Sequence, residues 1–260
     1  MATYLDAILE RHRSAAAADD RDLGALRAAA QGHEPRGFLA ALAANPAHLG
    51  VIAEVKRRSP SKGALNEDLD PAVLARDYEA GGARCLSVLT DGPGFGGSAE
   101  DLAMARQACS LPVLRKDFTV CERDVLDAAA MGADAILLIA AALSHEELSS
   151  FAVLAEELGL DVLLELHDEA DLAALEVHPW KLVGVNRRNL ATFEVDDERA
   201  ISLLPLLPAG ATLVAESGVH GPADAAALAT AGFHAVLVGE TLVRAGDPRS
   251  AVAELAQVAR

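Results

Sequence analysis

The chain has 260 residues, with 22 Lys and Arg against 39 Asp and Glu and a formal charge of −17. That length is ample for one large α/β domain with a full core, and a hydrophobic content of 52% excludes a disordered chain. The acidity argues against nucleic acid and against an anionic membrane surface, since both require a basic footprint.

Residues 1–48 precede the first strand-like run. They hold two helical stretches, Tyr4–Ala17 and Gly37–Ala44, joined by a Gly/Pro-bearing link at Gly32–Gly37. Asp6 and Glu10 interrupt the start, so it does not read as a signal peptide. No apolar run approaches the ~20 residues of a membrane span. Cys85, Cys109 and Cys121 form no C-x-x-C pair and number three, so they read as small buried hydrophobes in a reduced, cytoplasmic compartment.

From there, short apolar runs alternate with Ala/Leu-rich amphipathic segments. The expected strands are Val51–Val55, Arg84–Leu89, Pro112–Arg115, Ala133–Ile139, Asp161–Leu166, Leu182–Asn186, Thr212–Glu216 and Ala235–Gly239. The expected helices begin with Asp70–Gly81, where Asp70-Pro71 supplies an N-cap and a proline at the first helical position. Ser98–Ala108 opens with a capping-box variant, S-x-x-D, and Ser144–Leu158 with S-x-x-E before Gly159. Val120–Met131, Asp168–Glu176, Asp196–Leu204, Pro222–Ala231 and Asp247–Val258 complete the series.

Strands apolar on both faces belong to a parallel sheet. Eight βα repeats in this length predict a (β/α)8 TIM barrel. A doubly wound open sheet is the alternative. Val51–Val55 is followed by Lys56-Arg57-Arg58-Ser59-Pro60 rather than by a glycine-rich dinucleotide fingerprint. The expectation is a single domain over 1–260, with 1–48 as a helical extension and 49–260 as the barrel. The extension is either a plug under the barrel floor or a lid beside the active face.

In such a barrel the chemistry sits at the C-terminal strand ends. Glu54 and Lys56 lie there on one face of the first strand, by alternation. Lys116 follows the third strand, and Glu165 lies near the end of the fifth. Asn186 ends the sixth, and Glu216-Ser217-Gly218 the seventh. Charges in a water-poor mouth are costly unless paired, and paired lysines and glutamates shift each other's pKa as acid–base work requires. Ser217, Gly218 and Gly239 stand between strands seven and eight and their helices, where barrels often bind phosphate. Ser59-Pro60-Ser61-Lys62-Gly63 is either a plain turn or a loop that closes over an anion. The eight histidines form no metal pattern; His167, just after Glu165, is the most notable. Lysine is scarce: only Lys56, Lys62, Lys116 and Lys181 occur, which suggests positions where arginine will not serve.

The segments Val51–Gly63, Pro112–Phe118, Leu164–Glu169, Gly184–Leu190 and Ala215–Val219 together resemble the ordered motifs of the indole-3-glycerol phosphate synthase family. The resemblance covers nearly the whole chain. It implies a (β/α)8 barrel that converts 1-(2-carboxyphenylamino)-1-deoxyribulose 5-phosphate to indole-3-glycerol phosphate with loss of CO₂ and water, without cofactor or metal. It implies catalytic roles for Glu54, Lys56, Lys116, Glu165, Asn186 and Ser217. Lys116 resembles the acid that protonates the ketone, Glu165 its partner, and Glu54 with Lys56 the pair for dehydration. Substrate contacts fall on Ser59, Phe118, Arg188 and Glu216, and phosphate contacts on Ser217, Gly218 and Gly239. A lysine acid is expected near a neutral pKa. The implied partner is a small phosphorylated substrate, with a monomer or weak homo-oligomer.

Two departures stand out. Phe95 is the one aromatic in the loop Leu89–Ser98, so packing on the substrate ring falls more to Phe118. Arg187 replaces a small polar residue. A phosphoribosylanthranilate isomerase would place a cysteine near the first strand, where this chain has Glu54 and Lys56. A non-enzymatic relative has no use for four ionisable groups at strand ends.

Overall fold

The computed structural model describes residues 4–60, 62–189 and 194–260. Ser61 and Leu190, which belong to two of the motifs above, lie outside the described residues. Three helices open the chain: α1 (Tyr4–Ala18), α2 (Leu23–Ala30) and α3 (Phe38–Ala43). Eight parallel strands follow: β1 (Gly50–Val55), β2 (Cys85–Leu89), β3 (Val113–Lys116), β4 (Ala135–Ile139), β5 (Asp161–Leu166), β6 (Leu182–Asn186), β7 (Thr212–Glu216) and β8 (Ala235–Val238). Each pairs with its sequence neighbours, and β8 pairs with β1, so the sheet closes into a barrel. The fold is the TIM barrel that the repeat pattern predicts.

The outer helices are α4 (Pro71–Gly81), α5 (Ala99–Ala108), α6 (Glu122–Ala130), α7 (His145–Glu157), α8 (Asp197–Leu203), α9 (Pro222–Ala231) and α10 (Pro248–Ala256). Their starts follow the local chemistry. Asp70 accepts hydrogen bonds from Ala72 N (2.8 Å) and Val73 N (3.1 Å) at the head of α4. Ser144 and Glu147 form the full reciprocal box on α7, and such a cap contributes about 0.5–2 kcal/mol. The box on α5 is half made: Ser98 Oγ accepts from Asp101 N at 3.1 Å, but the Asp101 carboxylate pairs with Arg57 instead.

Three expectations are corrected. Leu23–Ala30 is a helix capped by Asp22, where the sequence reading placed none. Glu169–Glu176, between β5 and β6, is a 3-10 helix rather than an α-helix. Strand β2 begins at Cys85 rather than Arg84, whose guanidinium bonds the carbonyls of Leu42, Asn45 and His48 at 2.5–2.7 Å.

Side-chain alternation divides the core in two. The shell between strands and helices is one apolar cluster. Inside the barrel a second cluster stacks Ile52, Cys85, Leu114, Ala135, Leu137, Leu163, Leu182, Val214, Ala235 and Leu237. Both open readings of the extension are realised, by different helices. Phe38 and Leu42 of α3 join the inner cluster from below and close the floor. Leu39 N donates to Asp161 at 2.8 Å to seat that plug. At the other end, Tyr4, Leu5 and Ile8 of α1 line the mouth. Arg11 pairs with buried Asp91 at 2.7 Å, and Arg13 with Glu147 at 2.8 Å.

Phe38 is fully buried in this plug. Its replacement by alanine is expected to cost ~3–5 kcal/mol, read as a lowered midpoint in denaturant unfolding with an unchanged slope. A loss below ~1 kcal/mol would contradict the floor as a packed layer.

Candidate active site

The inner layers change character toward the C-terminal strand ends. Above the apolar layers, inward positions carry Glu54, Lys116, Glu165, Asn186 and Glu216 from β1, β3, β5, β6 and β7. Strands β3 and β7 lie opposite each other in the strand order, with β5 midway between them. Lys116 therefore reaches across the mouth. Its ammonium lies 2.8 Å from Glu165 Oε2 and 3.4 Å from Glu216 Oε2. Lys56, two residues beyond Glu54, turns back to pair with Glu54 Oε1.

Two glycines make room for this crowd. A Cβ at Gly184 would collide with the Glu216 carboxylate, and one at Gly239 with the Glu54 carboxylate. Neither glycine has a positive φ, so space rather than backbone conformation demands them. Gly239 thus serves the Glu54–Lys56 pair as well as lining the cavity.

Glutamates outnumber lysines at this level, three to two, and burial makes the imbalance costly. Burial pushes the Glu216 carboxyl up to about 8, helped by the Glu165 charge and opposed by Lys116. Burial acts the same way on Glu165, but Lys116 and His167 overcome it and hold Glu165 well below the usual carboxylate range. One glutamate of the pair is ionised, and the other keeps a proton at neutral pH. For Lys116, burial lowers the pKa, yet the charges of Glu165, Glu216 and Glu54 outweigh it and raise it above the ordinary lysine value. The expected near-neutral lysine is therefore corrected: with ionised Glu165 at 2.8 Å, Lys116 stays an ammonium at neutral pH.

His167, at the exit of β5, is buried. Its Nε2 lies 3.2 Å from Glu165 Oε1, and its Nδ1 3.7 Å from Asp171. Burial lowers its pKa, but Asp171 and Glu165 prevail and bring it to about 9. The sequence marked His167 only by its nearness to Glu165. The role of Asp171, on the 3-10 helix that follows, was not visible there. Asn186 gives its amide to Glu165 Oε1 at 3.1 Å and accepts from Ser217 Oγ at 2.9 Å and Arg188 N at 3.1 Å.

All the site residues expected from the sequence gather around one cavity. Ser59, Phe118, Arg188, Ser217, Gly218 and Gly239 ring the charged cluster. Ser59 Oγ is buried there without a hydrogen-bond partner among the described residues. Phe95 and Phe118 supply the aromatic wall, with ring centroids 6.3 Å apart. Ser217 and Gly218 form consecutive left-handed residues, φ 68° and 72°. Ser217 is the only non-glycine with positive φ among the described residues, a conformation that costs about 1–3 kcal/mol. Lys62 is exposed and does not line the cavity. Lys181 lies on the surface, 3.9 Å from Glu156 and 70% exposed.

His12, Asp91 and Asp117 also approach one another beside the mouth, with ligand atoms within 4.8 Å. Their carboxylates are already engaged. Asp91 takes Arg11 and Gly94 N, and Asp117 takes Thr90 and Arg115. Asp91 is a helix cap and the anchor of α1. No helix among the described residues is long and apolar enough to cross a membrane.

A closed parallel barrel with buried lysine–carboxylate pairs at its strand ends defines a TIM-barrel enzyme equipped for acid–base chemistry. The chain belongs to the indole-3-glycerol phosphate synthase family, whose model matches residues 5–255. Members of that family are carboxy-lyases of tryptophan biosynthesis. The chain is 50% identical over 256 residues to the indole-3-glycerol phosphate synthase of Rhodococcus jostii, covering 97% of this chain and 94% of that one. It is 54% identical over 205 residues to the Neisseria meningitidis serogroup B protein of the same name, covering 79% and 78%. Among solved structures, 3-hexulose-6-phosphate synthase from Salmonella typhimurium superposes with a TM-score of 0.63 at 15% identity, covering 81% of this chain and 98% of that one. That last likeness is one of fold.

Two outcomes follow from the packing and the charges. Gly184→Ala displaces the Glu216 carboxylate and is expected to lower kcat by about 10²-fold in a protein that still folds; unaltered kcat would mean that Glu216 needs no fixed position. The folded pKa of His167 lies above its unfolded value, so its stabilising charge is fully present below pH 6.5 and is lost as pH rises through about 9. The gap in Tm between wild type and His167→Gln should be widest near pH 6 and shrink toward pH 9. A gap that does not vary with pH would contradict the ion-pair assignment.

Proposed function

We propose that this chain converts 1-(2-carboxyphenylamino)-1-deoxyribulose 5-phosphate to indole-3-glycerol phosphate, with Lys116 as the acid of ring closure. The observation that carries the assignment is the Lys116 ammonium held between Glu165 and Glu216 at the centre of the mouth. The ring carbon bearing the carboxylate attacks the ketone carbon, and the ketone oxygen becomes an alkoxide. An alkoxide is a stronger base than an amine, so an ammonium suffices as donor even with a raised pKa. The proton leaves Lys116 Nζ for that oxygen. Glu165 stabilises the ammonium beforehand, and Glu216, still protonated at neutral pH, restores the proton across 3.4 Å.

CO₂ then departs, and the electrons of its bond restore the aromatic ring. In the last step the new hydroxyl leaves as water. The Glu54–Lys56 pair serves it, one member donating to the hydroxyl and the other taking the proton lost from the adjacent carbon. The atoms balance without an oxidant or reductant, so the reading assigns no cofactor and no metal.

Binding divides along the cavity. Phe95 and Phe118 face the aromatic ring, Arg188 and Ser59 the carboxylate, and Ser217, Gly218 and Gly239 the phosphate. Asn186 orients Glu165 and Ser217 while it faces the sugar hydroxyls. Desolvation by the apolar residues of α1 strengthens each of these interactions. The same reading places a single functional domain over 1–260, with 1–48 as its extension, in the cytoplasm. It is a monomer or weak homo-oligomer with no nucleic-acid partner.

Lys116→Ala is expected to lower kcat by about 10²–10⁴, followed by the fluorescence of the indole product. Turnover retained within about threefold would remove Lys116 from the role of acid.

A further inference from the structure

We propose that Arg187 is a positioning residue for the phosphate end of the substrate, setting the Ser217–Gly218 peptide so that the Gly218 N–H faces the cavity. The inference rests on the reading of Ser217, Gly218 and Gly239 as the phosphate cradle, and deepens it.

Strand alternation turns Asn186 into the mouth and Arg187 behind it. Arg187 is the largest fully buried side chain among the described residues, at 1% exposure. Its Nη2 donates to the Ser217 carbonyl, and its Nη1 to the Asp197 carboxylate. Its own backbone is fixed as well: its N–H donates to Glu216 O at 3.1 Å, and its carbonyl accepts from Asp196 N at 2.9 Å and Arg199 Nη2 at 3.1 Å.

In a trans peptide the carbonyl and the following N–H point in opposite directions. Drawing the Ser217 carbonyl back onto Arg187 therefore sends the Gly218 N–H the other way, toward the cavity that both residues line. The left-handed serine is held from both ends of the residue, its carbonyl by Arg187 and its hydroxyl by Asn186 at 2.9 Å. Gly218 is held against Val195 and the guanidinium, so a Cβ there would lie 2.6 Å from Val195 Cγ1 and 3.3 Å from Arg187 Nη2.

The charge points the same way. Among the described residues, the one carboxylate paired with this buried cation is Asp197, which is 60% exposed and shared with solvent. An incompletely neutralised guanidinium behind the turn favours an anion in front of it.

The test compares wild type with Arg187→Met and Arg187→Lys. Inorganic phosphate is titrated while the amide resonances of Gly218 and Gly239 are followed by NMR, and KM and kcat are measured on the substrate. Arg187→Met should weaken phosphate and raise KM about tenfold or more while kcat stays within about threefold, and Arg187→Lys should restore part of the loss. A Met variant with wild-type KM and a wild-type Gly218 response overturns the proposal, as does a fall in kcat at unchanged KM. If Arg187→Met does not fold, Arg187→Lys decides: a raised KM with kcat kept supports the proposal, and wild-type values for both overturn it. Failure of the cradle reading looks different. There, phosphate would leave both glycine amides unmoved in the wild-type protein, and the proposal would fall with it.

Discussion

One buried ammonium orders the mouth of this barrel. Lys116 lies between two glutamates from strands on other sides of the barrel, 2.8 Å from one and 3.4 Å from the other. Two carboxylates this close in a dry site do not both ionise at neutral pH unless the cations match them. The Glu54–Lys56 pair spends the second lysine on the first glutamate. His167 is a third cation, but it is shared between Glu165 and Asp171, so the third glutamate is left with a proton. His167 and Asn186 decide which one, because both sit on Glu165 and stabilise its charge. The uncharged member is then Glu216, and its pKa of about 8 follows from position rather than from residue type.

The rest of the chain holds this arrangement steady. Closure of the sheet fixes β3, β5 and β7 relative to one another. Gly184 and Gly239 leave the volume that two buried carboxylates occupy. The α3 plug seals the floor with Phe38 and Leu42, while α1 brings apolar residues to the mouth and ties down through Arg11 and Arg13. The overall charge of −17 is therefore a poor guide to the site. Lys56, Lys116 and Arg188 line the cavity inside an acidic shell, with Arg187 buried behind the turn.

Much of this was legible in the residues. Period-two alternation and the βα repeat gave the barrel, and strand ends then named Glu54, Lys56, Lys116, Glu165, Asn186 and Glu216. Lysine scarcity pointed to the mouth for Lys56 and Lys116, and not for Lys62 or Lys181. What stayed hidden depends on adjacency across the barrel. Sequence spacing could not show that Glu216 of β7 meets Lys116 of β3, so the proton on Glu216 and the raised pKa of Lys116 were out of reach. Asp171 was hidden for a similar reason, since its importance comes from a 3-10 turn folding back on His167. The extension was ambiguous because its helices do different work at opposite ends of the barrel.

The central claim is that a neutral carboxylic acid sits beside a lysine ammonium in the resting site. Infrared spectroscopy reads it directly, through the carbonyl band of a protonated carboxyl group in D₂O at pH 6–10. The account predicts a band present at pH 6, absent in Glu216→Gln, and titrating away near pH 8 in the wild-type protein. A wild-type spectrum without that band at pH 6, or a band that survives in Glu216→Gln, would contradict it.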